Sequence, residues 1–131
     1  MSGWGTGSFE NDDAQDFLGQ LKSLGGEDVR EILSRAADER EYLEAPESSV
    51  AVAAAEVIAA LKGAPSANVP REVADWMSTS MAGATADLNE LARRAVRKVR
   101  TNSELKDLWL EAEGLNEWSA GLRDLEQRLA N

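Results

Sequence analysis

Histidine and cysteine are both absent from this 131-residue chain. Their absence removes Ser-His-Asp and Cys-His nucleophile pairs, thiolate chemistry, disulfides and ordinary zinc sites. Any catalysis would have to run on carboxylates, hydroxyls, lysine or arginine. No uncharged run approaches the roughly twenty apolar residues that a membrane-spanning helix needs. No basic-then-apolar signal segment opens the chain, and Ser2 does not fit the myristoylation pattern. The expected location is therefore the cytoplasm, with which a cysteine-free composition agrees.

Basic residues are also scarce. Lys and Arg number 14 against 24 Asp and Glu, for a net charge of −10. The imbalance is local: residues 1–64 hold thirteen acids and five bases, residues 65–131 eleven and nine. Such a field disfavours non-specific attraction to nucleic acid or anionic membranes and suits solubility, a basic protein partner or a cation. With 43% hydrophobic and 29% charged residues, the composition is that of a folded chain. The length predicts a single domain over 1–131, with an N-terminal arm over 1–11 and a helical bundle over 12–131.

Apolar spacing is helical almost throughout. Ala14, Phe17, Leu18, Leu21 and Leu24 form one stripe, capped by Asn11 or Asp12 and ended by Gly25 and Gly26. Val29, Ile32, Leu33 and Ala36 mark a second helix, and 38–46 is charged and irregular. A third, alanine-rich helix is expected from Ser48 or Ser49 to Leu61, since Pro46 disfavours helix at Ala45, and Gly63 ends it. Its small faces would let neighbouring backbones approach, which makes it the candidate central helix.

Pro70 suits the first turn of a fourth helix with Val73, Trp76 and Met77. A fifth presents Leu88, Leu91, Ala92, Ala95 and Val99. Thr101 and Glu104 have capping-box spacing ahead of a sixth, with Leu105, Leu108, Trp109 and Ala112, stopped by Gly114. Asn116 would cap the last, which carries Trp118, Leu122, Leu125 and Leu129. Nothing alternates with a two-residue period. The fold class read from this pattern is all-α, an irregular or orthogonal bundle of six or seven short helices with an ordered Gly/aromatic N-terminal arm.

Three features could carry more than a fold. The leader combines Gly3, Gly5 and Gly7 with Trp4 and Phe9, then Asn11, Asp12, Asp13 and Asp16, with no base before Lys22. It fits neither a dinucleotide fingerprint nor a P-loop. Glycines free to adopt positive φ would fold Trp4 and Phe9 onto the helices, while the acids favour the N-terminus of the first helix. Asp12 and Asp16, four apart, could instead help hold a cation or a basic partner, although the spacing is not that of an EF-hand loop.

Glu56 is the second feature, the sole charge between Glu47 and Lys62. It lies about 150° from the centre of the stripe of larger residues, Val50, Val57, Ile58 and Leu61. That leaves it facing solvent, pairing with an arginine, or meeting the leader acids in an acid–base or cation site. The third feature is the basic cluster Arg93, Arg94, Arg97, Lys98 and Arg100, opposite the apolar stripe of the fifth helix. It is either a solvated face neutralising acidic neighbours or a phosphate contact, and it lacks interleaved aromatics. Tyr42, alone in a charged stretch, could contact a partner or cover the core.

Trp4, Gly5, Thr6 and Gly7 recur with the run Phe9–Phe17, with Tyr42, Leu43, Glu44 and Ala45, and with Ala53–Glu56 and Gly63. Trp76, the run Ser103–Trp109 and Trp118 complete a pattern spanning nearly the whole chain. It resembles the bacterial family catalogued as domain of unknown function 4259. The resemblance implies a short bacterial protein and carries over no activity, cofactor or catalytic residue.

The sequence therefore reads as a non-enzymatic protein-interaction or regulatory module, with no cofactor, metal or catalytic residue assigned. Its partner is expected to be a protein of basic character, with no membrane contact, and the chain to be a monomer or homodimer. The expected binding surface comprises Trp4, Phe9, Asn11, Asp12, Asp13, Asp16 and Glu56. Two alternatives stay open: a carboxylate site for a divalent cation or acid–base chemistry, formed by the N-terminal acids with Glu56, and nucleic-acid contact through helix 93–100.

Overall fold

A computed structural model describes residues 5–79 and 85–130. Among them lie seven helices: α1 (Asp12–Leu21), α2 (Gly26–Asp38), α3 (Ala45–Lys62), α4 (Arg71–Thr79), α5 (Ala86–Thr101), α6 (Glu104–Glu111) and α7 (Leu115–Ala130). No strand forms among the described residues, and the fold is all-α. Leu43 and Ser103 make one isolated bridge. No described helix is long and apolar enough to cross a membrane.

α3 packs against all six other helices. Every residue from Ala51 to Ala60 is buried, so this helix has no solvent face over three turns. Alanine makes that possible: short side chains on all faces let six neighbours approach one axis. The centrality read from composition holds. Around α3, α5 lies between α2 and α7, while α1 packs on α3 and α4.

The beginning of α3 departs from the expectation. It starts at Ala45, with Pro46 inside the first turn, where no helical N–H is needed. The cap comes from elsewhere in the chain. The Glu104 carboxylate accepts the Ala45 N–H at 2.8 Å, and the Glu104 N–H donates to the Leu43 carbonyl at 2.8 Å. The pair acts as a capping box made between two segments 59 residues apart. Ser48 lies within the helix, its hydroxyl donating to the Glu44 carbonyl. The end is as expected, with Gly63 at φ 96° and the Ala64 N–H returning to the Ala59 carbonyl.

Other helix boundaries also shift. α1 stops at Leu21, before the glycines; Gly25 instead caps α2, its N–H donating to Asp28. Leu24 falls in the connecting turn, and its carbonyl accepts the Trp76 indole N–H at 2.8 Å, which fixes α4 against α1. Ser103, not Thr101, caps α6: its buried hydroxyl accepts the Lys106 N–H and donates to the Val99 carbonyl. Thr101 belongs to α5.

α6 ends with Glu113 at φ 62°, a left-handed conformation that a neighbouring glycine does not take over. Gly114 is needed for space. A Cβ there would fall 2.6 Å from Trp109 Cε3. α7 starts at Leu115, which places Asn116 inside the helix rather than at its cap. The predicted core stripes of α5 and α7 are buried as expected, whereas Leu108 is exposed.

Candidate functional site

A glutamate in a helix buried on every side must be paired, because an isolated carboxylate there would lose its hydration without compensation. Glu56 is 6% exposed. Arg128, in the last turn of α7, meets it with two parallel bonds, Nη1 to Oε1 at 3.0 Å and Nη2 to Oε2 at 3.1 Å. The bidentate fork matches the planar guanidinium to the planar carboxylate. Ser8 of the leader donates a third bond, from Oγ to Oε2, at 2.7 Å.

Arg128 is held in turn. Nε donates to Asp124 at 2.9 Å, and Nη1 also donates to the Ala64 carbonyl at 3.1 Å, just beyond the end of α3. Lys62 donates to the Arg128 carbonyl at 2.7 Å, satisfying an acceptor at the C-terminus of α7. Burial disfavours the charge on Arg128, but hydrogen bonding and charge from Glu56, then Asp124, outweigh it and hold the guanidinium above its ordinary range. Arg128 therefore keeps its charge, and its bonds to Glu56, together with the bond from Ser8, lock α3, α7 and the leader together.

Helical periodicity places the rest. Glu117, Gly121, Asp124 and Arg128 fall within about 60° on α7, about 100° round from its buried stripe of Trp118, Leu122, Leu125 and Leu129. This flank, the leader and residues 66–68 enclose a cleft of about 630 Å³. Its lining carries the carboxylates of Glu10, Glu56, Glu117 and Asp124 against the single guanidinium of Arg128. The floor is neutralised by the ion pair, so the outer carboxylates set the sign of the cleft.

The leader takes its shape from Glu10. The Gly7 N–H donates to Glu10 Oε1 at 2.9 Å while the Glu10 N–H returns to the Gly7 carbonyl. A Cβ on Gly5 or Gly7 would fall 2.8 or 2.4 Å from the same oxygen. At both positions the Glu10 carboxylate lies close against the backbone, so a side chain there would require that carboxylate to shift. Gly7 does not have a positive φ, contrary to the expectation for that residue. Phe9 packs half-buried against the core, and Asn11 caps α1 through a bond from the Ala14 N–H at 2.8 Å. Trp4 and Gly3 lie outside the described residues.

The structure brings Phe9 and Glu56 to one cleft but does not bring Asp12, Asp13 or Asp16 to it. Asp12 and Asp16 are exposed on α1. Among the described residues no group of three or more acidic side chains is placed to hold a metal ion. Nor does Glu56 face solvent; the arginine-paired arrangement is the one adopted. Sequence reasoning missed Ser8 and Arg128. The available signal was the register of α7, which sets Arg128 on the same stripe as Asp124 and beside the core.

The basic face of α5 is largely engaged with acids and carbonyls. Arg93 pairs with Glu90 through two bonds, Arg94 with Asp38 at 3.5 Å, and Arg100 with Glu126 through Nε and Nη2. Lys98 donates to the Glu41 carbonyl, while Arg97 is exposed. Tyr42 is half-exposed and donates to Asp107 on α6, which ties the α2–α3 connection to α6.

No curated protein and no solved structure matches the chain. A family model does match, over residues 2–121, so that Ser8, Glu10 and Glu56 fall inside the matched span and Asp124 and Arg128 beyond it. The chain belongs to the family described as Domain of unknown function (DUF4259).

Proposed function

We propose that this protein is a non-enzymatic interaction module, and that the cleft between the leader, α3 and α7 receives a basic segment of a protein partner. The observation that carries the reading is the charge arrangement of this concavity. Glu10, Glu117 and the exposed Asp124, which also accepts from Arg128, stand around a floor whose Glu56 is already paired. An entering guanidinium or ammonium group would meet carboxylates at the rim without having to break the Glu56–Arg128 bridge. The net charge of −10 would draw a basic partner toward the same surface from a distance. With no His or Cys, and with Glu56 engaged by Arg128 and Ser8, the cleft offers binding groups rather than an acid–base pair.

The test is an amide NMR titration with a short arginine-rich peptide at low and at physiological salt. Resonances of Ser8, Glu117 and Gly121 are expected to shift together, with binding weakened as salt rises. The exposed-residue variant Glu117→Gln/Asp124→Asn should bind at least about tenfold more weakly, as expected for losing two charged contacts. Absence of shifts at low salt, or unchanged affinity in the variant, refutes the proposal.

A further inference from the structure

The opposite flank of α7 has the opposite character. Asn116, Ser119 and Arg123 lie roughly 140° round the helix from the acidic stripe. With Arg100 and Thr101 at the end of α5 and Lys106 on α6, they enclose a groove of about 470 Å³. That is the size of a small-ligand site. Three cations line it and no carboxylate does, on a chain whose acids outnumber its bases by ten. We infer that this groove binds a single phosphate group, carried by a small molecule.

Charge matching gives the class of ligand. Arg100 is already neutralised by Glu126, which occupies Nε and Nη2 and leaves Nη1 without a hydrogen-bond partner among the described residues. Burial works against its charge, but the Glu126 hydrogen bonds, the leading influence, hold the guanidinium above its ordinary range, so it stays a fixed donor. Lys106 and Arg123 form no ion pair with any described residue. Their two charges balance the charge of about −2 on one phosphate monoester at neutral pH. Thr101, Ser119 and Asn116 add neutral donors for the remaining oxygens.

A polymer fits less well. A phosphate chain leaving the groove would run over a surface of net negative charge, since the basic face of α5 is mostly paired. Counterion release from a long polyanion needs a continuous line of unpaired cations. The groove supplies two.

Amide NMR titrations at fixed pH and ionic strength test the inference, using inorganic phosphate, acetate and a single-stranded oligonucleotide as probes. Phosphate should produce saturable shifts confined to residues 100–106 and 116–123. Acetate, with one charge, should bind at least about tenfold more weakly, and Lys106→Ala/Arg123→Ala should weaken phosphate by at least about tenfold. If the double variant does not fold, Arg123→Gln at an exposed position carries the same comparison. Shifts spread over the surface, equal binding of acetate, or indifference to the variants overturns the site. An oligonucleotide that binds more tightly than phosphate, phosphate for phosphate, overturns the small-ligand class.

Discussion

Replacing Arg128 by Met keeps much of the side-chain volume and removes the charge facing Glu56. The structure sets the size of the effect. Glu56 is 6% exposed and would retain only the Ser8 hydroxyl as a donor, while the Ala64 carbonyl would lose its partner as well. Breaking a buried ion pair on one side costs about 3–5 kcal/mol. The Arg128 side chain is 18% exposed and borders an open cleft, so water can enter once it is gone, which favours the lower end, about 3 kcal/mol. In a chain of this length that lowers Tm by about 10 °C.

Urea and thermal unfolding followed by far-UV circular dichroism would measure it. The decisive comparison is a double-mutant cycle. Adding Glu56→Gln to the Arg128→Met background removes the stranded charge and should recover more than half of the loss. The bonds from Arg128 to Asp124 and Ala64 are missing in both variants, so their difference measures the cost of the stranded Glu56 carboxylate, and the Glu56→Gln single variant closes the cycle that gives the coupling of the pair. A loss below about 1 kcal/mol for Arg128→Met, or a double variant no more stable than the single, would refute the account of the pair as the lock between α3 and α7.

Gly114→Ala should cost about 1–3 kcal/mol by overpacking, because the new methyl would sit 2.6 Å from Trp109 Cε3; urea unfolding reads the loss, and a neutral result would show that Trp109 can move aside. Tyr42 is the sole tyrosine, so phenolate absorbance reports it without ambiguity. Its hydrogen bond to Asp107, followed by slight desolvation and the charges of Asp107, Glu104 and Glu111, pushes the phenol up to about 12. The folded state then holds this proton more tightly than the unfolded state, so the contribution is complete below about pH 10 and lost as pH rises through about 12. Alkaline titration should find the raised midpoint and Asp107→Ala should bring it back toward 10; a folded protein titrating at 10 would contradict the bond.

The amino-acid sequence by itself determined the helical class and most of the buried stripes, and it set the helix count at six or seven, against seven among the described residues. These follow from one local period, visible in Leu88, Leu91, Ala92, Ala95 and Val99 or in Trp118, Leu122, Leu125 and Leu129. Composition pointed to α3 as central, because the faces outside its stripe of larger residues are mostly alanine and let neighbouring helices approach. Gly63 and Asn11 were legible for the same local reason, since each completes a hydrogen-bond pattern within its own helix end.

What only the tertiary structure decided depends on residues far apart in the chain. α3 begins at Ala45 because Glu104 caps it from α6, a contact no window of sequence contains. Glu56 could face solvent, an arginine or other acids, and the packing of α7 across α3 selected Arg128. Gly5 and Gly7 lie against the Glu10 carboxylate, and Gly114 lies against the Trp109 ring, close approaches made by residues that no helical period brings together. The two flanks of α7, one acidic and one basic, acquire meaning only when the leader closes over the first and α5 and α6 flank the second. Periodicity fixes which side of a helix is buried; which charges then meet across the bundle is settled by desolvation, which makes an unpaired carboxylate at the position of Glu56 untenable.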